Sequence, residues 1–440
     1  MAVPSLHRRH LLLGAGALGL AAAIRPAIAA PLKPNAATDQ TAALQAAIDD
    51  AAKHKTPLVL PAGTFHTGTL KLPDHLQLQG QPGATILAAT GSDPILTADG
   101  AASLTLTGLT FTGIGTSTDR PDGGLVDLKA CTGLTLTACS FNAAPGNALT
   151  ISGSDGLIEN CSFANATQAA IFSLDNTGLS ILANRIADCH NGGILVWRSE
   201  TGVDGTIVTG NRIARIGWTD GGNGQNGNGI NIYRADAVIV SGNHVADCAF
   251  SGVRANTTRN TQITGNTCLN SGETALYSEF AFSGSVIANN IVDGATVGIS
   301  IANLDNDGHL ATCSGNIIRN IAPRSTVNPD TTPSGIAAEA DVAITGNVIE
   351  GVPGPAISAG WGPYLRNVLV SSNVISDADI GIAVSVAEGA GTAQVTGNII
   401  AAHEAAIVGM AWTETVTRDL ASDVARYPSL TISGNSVAPA

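Results

Sequence analysis

The chain has 440 residues and a formal net charge of −13, with 44% hydrophobic but only 4% aromatic residues. An acidic chain disfavours nucleic acid and anionic membranes as partners, because both would repel it. Its 51 glycines, among small apolar and β-branched residues with little charge, fit a narrow β-structure with many turns rather than a disordered chain.

The first 30 residues are predicted to be an export signal of the twin-arginine type. Arg8 and Arg9 precede an apolar run over 11–24, which is short for a membrane span, and small residues follow at 27–29. Paired arginines are typical of the twin-arginine route, and a Sec signal is the alternative. We therefore expect a periplasmic protein, with the twin-arginine machinery as a partner and no membrane span after signal removal.

Residues 36–87 are predicted to form an N-terminal cap and the first strands. Asp39 is placed to cap a helix in which Leu44 and Ile48 share one face. Short β-rich runs broken by Gly and Pro follow from residue 57 onward. A helix in front of stacked strands would cover their open apolar end and block edge pairing.

A Gly-Asn phrase led by β-forming residues returns about every two dozen residues. Its asparagines are Asn211, Asn243, Asn266, Asn316, Asn347, Asn398 and Asn435, and weaker copies without the glycine contain Asn184, Asn290 and Asn373. This period predicts a stacked repeat, so residues 31–440 are expected to form one domain with the repeat coils at 88–440. The asparagines, called the ladder below, are predicted to be structural, with stacked amides and a tolerance for the left-handed turn conformation.

The segment from Thr41 to Gly63, with Leu-Pro-Ala-Gly-Thr-Phe and then Gly-Thr-Leu-Lys-Leu, resembles the cap of pectate-lyase-like β-helices. The later repeats resemble those of the mannuronan C5-epimerase group and of periplasmic carbohydrate-binding β-helices. Signal and repeats together resemble the twin-arginine-translocated β-helix repeat family. The resemblance implies an all-β, single-stranded right-handed parallel β-helix of about thirteen coils, with an N-terminal capping helix.

Each coil carries a second strand, in which Ile194, Ile230, Val253, Leu276 and Ile299 are predicted to point inward. Inserts near 214–228 and 322–334 break the repeat spacing between the ladder and this strand. A third insert near 412–429 includes a segment, 417–427, that could be a short helix shielding the C-terminal end.

Side chains alternate along a strand, so the residues one and three positions after each inward residue should form an outward patch. The catalytic candidates there are Tyr277, Arg254, Glu279 and Tyr233. The substrate-binding candidates are Asn231, Asn256, Trp197, Arg198, Arg234 and Trp218. Aromatic rings, amides, an arginine and a carboxylate suit a polysaccharide or oligosaccharide partner.

The leading hypothesis is a polysaccharide lyase or epimerase acting on uronate-type chains. Tyr277 or Tyr233 would be the base if its pKa were lowered, Arg254 would bind the substrate carboxylate, and Asn256 would stabilise the developing charge. The alternatives are a non-catalytic polysaccharide-binding or structural β-helix, and a glycoside hydrolase. Hydrolysis needs a second carboxyl beside Glu279, for which Asp220 or Asp305 is available.

No cofactor motif is evident, with calcium as one open question. Asn303, Asp305 and Asp307 stand at alternate positions before a glycine, like the start of a calcium loop, but the distal glutamate is missing. A polar turn is the alternative. The seven cysteines include Cys139 and Cys161 in the ladder column, and most are expected to be small buried hydrophobes.

Overall fold

The computed structural model of the chain describes residues 32–115, 123–222 and 224–438. The predicted export signal, with Arg8 and Arg9, lies outside the described residues. The described chain winds into a parallel β-helix of about 14 turns, against about thirteen predicted. The all-β parallel fold class is therefore confirmed, and a short N-terminal helix is present. No described helix has both the length and the apolar character needed to cross a membrane.

The turns build three faces that run along the helix axis. Face 1 precedes the ladder and is a 15-stranded parallel sheet. Its strands are Leu58–Val59, Gln77–Gln79, Thr105–Thr107, Leu134–Thr137, Gly156–Glu159, Ser180–Leu182, Ile207–Thr209, Ile239–Ser241, Arg259–Thr264, Ser283–Ala288, His309–Ser314, Ala340–Thr345, Arg366–Ser371, Ala393–Thr396 and Leu430–Ser433.

Face 2 follows the ladder, and face 3 is built from the predicted second strands. Face 2 contains Gly63–Thr67, Thr85–Ala89, Thr110–Thr112, Ser140–Asn142, Ser162–Ala164, Arg185–Ala187, Arg212–Ile216, His244–Cys248, Thr267–Leu269, Ile291–Ala295, Ile317–Ile321 and Ser436–Ala438. Face 3 contains Leu70–Lys71, Leu96–Asp99, Gly124–Lys129, Asn147–Ser152, Ala169–Leu174, Gly192–Val203, Asn228–Asp236, Val253–Asn256, Thr274–Glu279, Val297–Ile301 and Ser334–Ala338. Three long strands, Val348–Ala359, Val374–Ser385 and Ile399–Ala411, run through both faces.

The core fills the interior of the coil. Ile194, Ile230, Val253, Leu276 and Ile299 are fully buried and stand in register on neighbouring strands, as predicted. Because strand side chains alternate, this register sends the predicted patch to the outer surface of face 3.

The ladder asparagines are confirmed as structural. From Asn184 to Asn398, the backbone N–H and the side-chain Nδ2 of each one both donate to Oδ1 of the next, at 2.8 to 3.0 Å. The left-handed residue, however, is the one before the asparagine, as at Gly210 with φ 68° and Gly242 with φ 61°. A glycine makes this turn before seven of the ten ladder asparagines, while Ala183, Asn289 and Ser372 make it before the other three. The asparagine supplies the amide.

Both ends of the coil carry helices. Helix α1 spans Thr41–His54 and buries Leu44 and Ile48, as predicted. Gln40 occupies the N-cap position, while the Asp39 carboxylate accepts the Thr41 N–H at 2.7 Å. At the other end, Glu414–Thr417 pairs antiparallel with the last long strand.

The C-terminal insert also contains the predicted short helix. Helix α2 spans Leu420–Asp423 and continues as a 3₁₀ turn, Val424–Arg426. Leu420 is fully buried, so the helix packs onto the end of the core.

All seven cysteines are free and buried, in agreement with their predicted role as small hydrophobes. The Cys161 N–H donates to Asn184 Oδ1 at 2.9 Å, so Cys161 lies directly before the ladder in its column.

Candidate functional site

Three adjoining cavities lie along the outer surface of face 3, and together they are called the groove. The upstream cavity, of about 110 Å³, is lined by Phe172 and Trp197 among others. The central cavity, of about 290 Å³, is lined by residues from Trp197 to Phe280, including Arg254 and Glu279. The downstream cleft, of about 390 Å³, runs from Tyr277 to Trp412. The predicted outward patch forms the middle of this groove.

The first insert folds over the patch. Trp218 packs edge-on against Phe250 with ring centroids 5.1 Å apart, which anchors the insert. The Gly224 carbonyl accepts hydrogen bonds from Asn228 Nδ2 at 2.7 Å and Asn231 Nδ2 at 3.4 Å. The Gly224 backbone lies against the Arg254 guanidinium, and a Cβ at that position would overlap it. This glycine therefore lets the insert cover Arg254.

The second insert reaches back across two coils to the other side of the patch. Ser325 Oγ donates to the Gly272 carbonyl at 2.7 Å, and Asn328 Nδ2 donates to Glu273 Oε1 at 2.9 Å. The two inserts therefore extend over the patch from its two ends along the helix axis. They cover its coils.

Arg254 is the electrostatic centre of the patch. Its Nε and Nη2 donate to both oxygens of Glu279 at 2.6 and 2.8 Å, and its Nη1 lies 3.8 Å from Glu273 Oε2. Burial alone would lower the pKa of Arg254, but the Glu279 carboxylate raises it above its ordinary value. Asn256 Nδ2 donates to the same carboxylate at 2.8 Å. Arg254 and Glu279 are 8% and 2% exposed, so this is a buried, hydrogen-bonded ion pair.

Tyr277 lies beside this ion pair and also faces the downstream cleft. The Arg254 guanidinium stands 5.0 Å from the centre of its ring. Burial, together with the nearby Glu279 charge, raises the pKa of Tyr277 to about 12. A phenolate base needs a lowered pKa, so this condition of the sequence-based hypothesis is not met.

The other predicted patch residues assemble around the ion pair. One register column across four neighbouring strands contains Trp197, Tyr233, Asn256 and Glu279. Asn231 and Arg254 are in register with each other two residues earlier on their strands, on the same outer surface. Trp197 Nε1 donates to Asn231 Oδ1 at 3.0 Å. All of them line the central cavity, so these six predicted residues form one site.

Three predicted binding residues, Arg198, Arg234 and Trp218, make structural contacts outside the groove. Arg198 Nη1 donates to the Asn176 carbonyl at 3.1 Å, and Arg234 Nη1 donates to the Ser199 carbonyl at 2.7 Å while its guanidinium lies 4.9 Å from the Tyr233 ring centre. Trp218 anchors its insert, as described. None of the three is among the residues that line the groove cavities.

The predicted calcium loop is a compact polar turn. Leu304–Asn306 is a 3₁₀ turn, and Asn303 Oδ1 already accepts the Phe280 N–H at 3.1 Å. Asp305 and Asp307 are exposed. Within the described ranges, no cluster of three or more histidine, cysteine or acidic side chains is placed to hold a metal ion. The turn geometry matches the alternative weighed for this loop, and calcium binding stays a prediction without a preformed ligand cluster.

The downstream cleft brings in residues that the sequence reasoning did not assign. Trp361 and Trp412 are 42% and 47% exposed and meet edge to face with centroids 5.7 Å apart. Glu339 lines the same cleft, and its Oε2 accepts the Leu304 N–H at 2.7 Å. Burial raises the pKa of Glu339 to about 7, with the nearby Asp305 charge acting in the same direction. A carboxyl that titrates near neutral pH can donate or accept a proton there.

Glu273 is the other acidic residue of the cleft. It is 8% exposed, and its Oε2 has no hydrogen-bond partner although Oε1 accepts from Asn328. The described residues that line the cleft include no lysine or arginine. The cleft is therefore aromatic and acidic, and it presents no cation to a ligand.

Comparisons with known proteins agree with this architecture. A family model described as the right-handed β-helix region matches residues 123–307 and 195–365, more than half of the chain. A second, for the pectate-lyase-like rhamnogalacturonase A/epimerase group, matches residues 31–105. A search of curated proteins gave no match.

Several solved structures share the fold at low sequence identity. The catalytic unit of a GH87 α-1,3-glucanase from Streptomyces thermodiastaticus aligns with a TM-score of 0.53 and 14% identity, covering 87% of this chain and 67% of the other. A tailspike mutant of E. coli bacteriophage HK620, in complex with a hexasaccharide, aligns at 0.51 and 11%, covering 92% and 75%. The A-module of a mannuronan C-5 epimerase from Azotobacter vinelandii aligns at 0.45 and 16%, covering 92% and 96%.

At these identities the glucanase and the tailspike structures support the fold alone. The same fold is indicated by the repeat register, by the ladder and by the family match over residues 123–365. The chain belongs to the right-handed β-helix family.

Proposed function

We propose that this protein binds a glycan chain of neutral sugars in the groove on face 3, with the downstream cleft as its principal site. One observation carries the proposal: Trp361 and Trp412 present half-exposed rings at a concave surface that Tyr277 also lines. Exposed aromatic rings in a cleft offer flat apolar surfaces on which sugar rings can stack, while nearby carboxylates and amides fix the hydroxyls.

The charge of the site favours neutral sugars over uronates. Arg254, the predicted carboxylate binder, already donates to both oxygens of Glu279 and faces Glu273. The described residues that line the downstream cleft include Glu273 and Glu339 but no lysine or arginine that could pair with a uronate carboxylate. Like charges at close range disfavour binding. The lyase and epimerase hypotheses therefore have less support than binding of a neutral chain.

Hydrolysis of the bound chain is the second candidate function, and Glu339 is the observation that favours it. With its pKa raised to about 7, this carboxyl is protonated in part at neutral pH and could donate a proton to a glycosidic oxygen. Asp305 follows Leu304, whose N–H binds Glu339, and so supplies a second carboxyl nearby.

Two solved relatives support a carbohydrate ligand as a class. The tailspike is in complex with a hexasaccharide, and the glucanase is named for an α-1,3-glucan. Both share the β-helix fold with this chain. We also propose export to the periplasm by the twin-arginine route, from Arg8, Arg9 and the apolar run after them; retention of an Arg8→Lys, Arg9→Lys variant in the cytoplasm is its test.

The test of the binding proposal is a titration of the mature protein with neutral and uronate polysaccharides, read by calorimetry. We expect a neutral glycan to bind, and Trp412→Ala to weaken it about tenfold or more, because the variant removes a stacking surface at the cleft. Val286→Ala, an exposed apolar change on face 1, is the control and should bind like the wild type. Undiminished binding by Trp412→Ala would contradict the placement of the ligand.

The same mixtures separate the possible chemistries. New reducing ends without unsaturated uronate would indicate hydrolysis. Absorbance of unsaturated uronate, or new C5 epimers by NMR, would restore the lyase or epimerase hypothesis. Binding without any product would leave the groove a binding site.

A further inference from the structure

A second cluster of aromatic side chains lies on the same groove, upstream of the ion pair. Trp197 meets Phe172 at 5.4 Å and Tyr233 at 5.9 Å between ring centroids, both edge to face. Trp197 and Tyr233 are part-exposed, and Trp197 lines both the upstream and the central cavity. We call Trp197 and Tyr233 the upstream aromatic site, and Trp361 and Trp412 the downstream aromatic site.

The two sites lie close to one register column of face 3. The column that contains Trp197 and Tyr233 continues to Asn256 and Glu279. The neighbouring column runs from Ser278 through Ile301, Ala338, Ala359 and Val384 to Gly409, and it keeps its register throughout. Trp361 is therefore one residue from the column of Trp197, although six turns separate them.

Their separation follows from the spacing between strands. Six turns at about 4.8 Å place Trp361 about 29 Å from Trp197, and eight turns place Trp412 about 38 Å away. The central cavity and the downstream cleft are lined by neighbouring strands, and Arg254 of the first stands 5.0 Å from the ring centre of Tyr277 of the second. The side-chain amides of Asn231 and Asn256 line the central cavity. The central cavity and the downstream cleft therefore follow one another along face 3, in the direction of a linear ligand that would join the two aromatic sites.

We propose that the upstream aromatic site is a second glycan-binding site and that the natural ligand is a long linear polymer which occupies both sites at once. This inference rests on the proposed function and specifies its substrate class. An extended glycan advances by about one strand spacing per sugar unit, so about seven to nine units reach from one site to the other. A shorter chain can contact only one site.

Simultaneous contact has a measurable consequence. Once one site is occupied, the second is filled at a high effective concentration, because the same chain carries both contacts. Affinity should therefore rise in a step when the chain becomes long enough to reach both sites, rather than gradually with each unit. The step should vanish when either aromatic site is removed.

The test is calorimetric titration with size-graded fragments of the neutral glycan that binds best, from three to twelve units. We expect twelve-unit fragments to bind the wild type at least about tenfold more tightly than four-unit fragments. Trp197→Ala should abolish that difference while leaving the affinity of four-unit fragments within about twofold. Tyr233→Ala is the second variant at the same site, in case Trp197→Ala fails to fold. Tyr427→Phe, in the C-terminal cap and outside the groove cavities, is the aromatic control.

The outcomes separate this inference from the proposed function. Equal affinity for short and long fragments, with binding still sensitive to Trp412→Ala, would overturn the two-site inference and leave the downstream cleft as the binding site. A length-dependent step that survives both Trp197→Ala and Tyr233→Ala would also overturn it. Absence of binding at every length would contradict the proposed function itself.

Discussion

Arg254 bears more charge contacts than any other groove residue described, since it faces two carboxylates from a largely buried position. Its pair with Glu279 has the same donor geometry as the exposed pair of Arg215 with Asp188, at 2.6 and 2.8 Å in both cases. The two pairs differ in burial. They therefore offer a direct comparison of what burial does to an ion pair.

Replacing Arg254 by alanine should destabilise the protein by about 3–5 kcal/mol, because Glu279 and Glu273 would stay buried without their partner. Arg215→Ala, the matched control, should leave stability almost unchanged, because its pair is open to solvent. Denaturant unfolding of both variants measures the difference. Similar losses for the two would show that Arg254 does not hold this cluster together.

Three residues of the downstream cleft, Glu339, Trp361 and Trp412, were not predicted from the sequence. The outward count that selected Glu279 ended at Ile299. Carried on to the fully buried Ile336, the same three-residue step gives Glu339. Trp361 and Trp412 needed more, because Trp361 follows a turn at Gly360 with φ 83° and Trp412 itself has φ 57° at the hairpin. Repeat counting cannot foresee such local changes of direction.

At the scale of elements, the ladder and the location of the inserts were predictable, but the way the inserts fold over the groove was not. The Gly-Asn phrase carries both of its structural parts in adjacent residues, a left-handed glycine and a stacked amide, so its role follows from the pattern. The inserts carry no periodic signal, and their position depends on single contacts such as Ser325 to Gly272. The sequence therefore locates the loops along the chain without telling how they lie over the groove.

The ladder makes a testable contribution to stability. Asn266 Oδ1 accepts both the backbone N–H and the Nδ2 of Asn243, all buried. Asn266→Ala should cost at least about 2 kcal/mol, since each buried group left unsatisfied costs about 1–3 kcal/mol. Asn142→Ala, on an exposed asparagine that accepts from Asn165, is the control and should cost less than about 1 kcal/mol. Equal losses of unfolding free energy in the two variants, measured by thermal or denaturant unfolding, would contradict a stabilising role of the ladder.

At the scale of the whole molecule, the sequence repeat determines the fold, whereas ligand binding depends on a few side chains. The period of the repeat and the inward Ile, Val and Leu positions were enough to predict the parallel β-helix, because each coil needs only its neighbours. The upstream part of the groove also followed from the alternation of side chains. Whether Arg254 is free or paired could not be predicted, because that depends on side-chain contacts between coils and inserts.

The central claim is that a glycan lies along the outer surface of face 3, in contact with the two inserts. Amide hydrogen exchange with and without a saturating bound glycan tests this most directly. We predict slower exchange in the two inserts, 214–228 and 322–334, and in the hairpin around Trp412, with no change in the exposed turns beside face 1. Slower exchange confined to face 1 or to helix α1, with the inserts unaffected, would contradict the account.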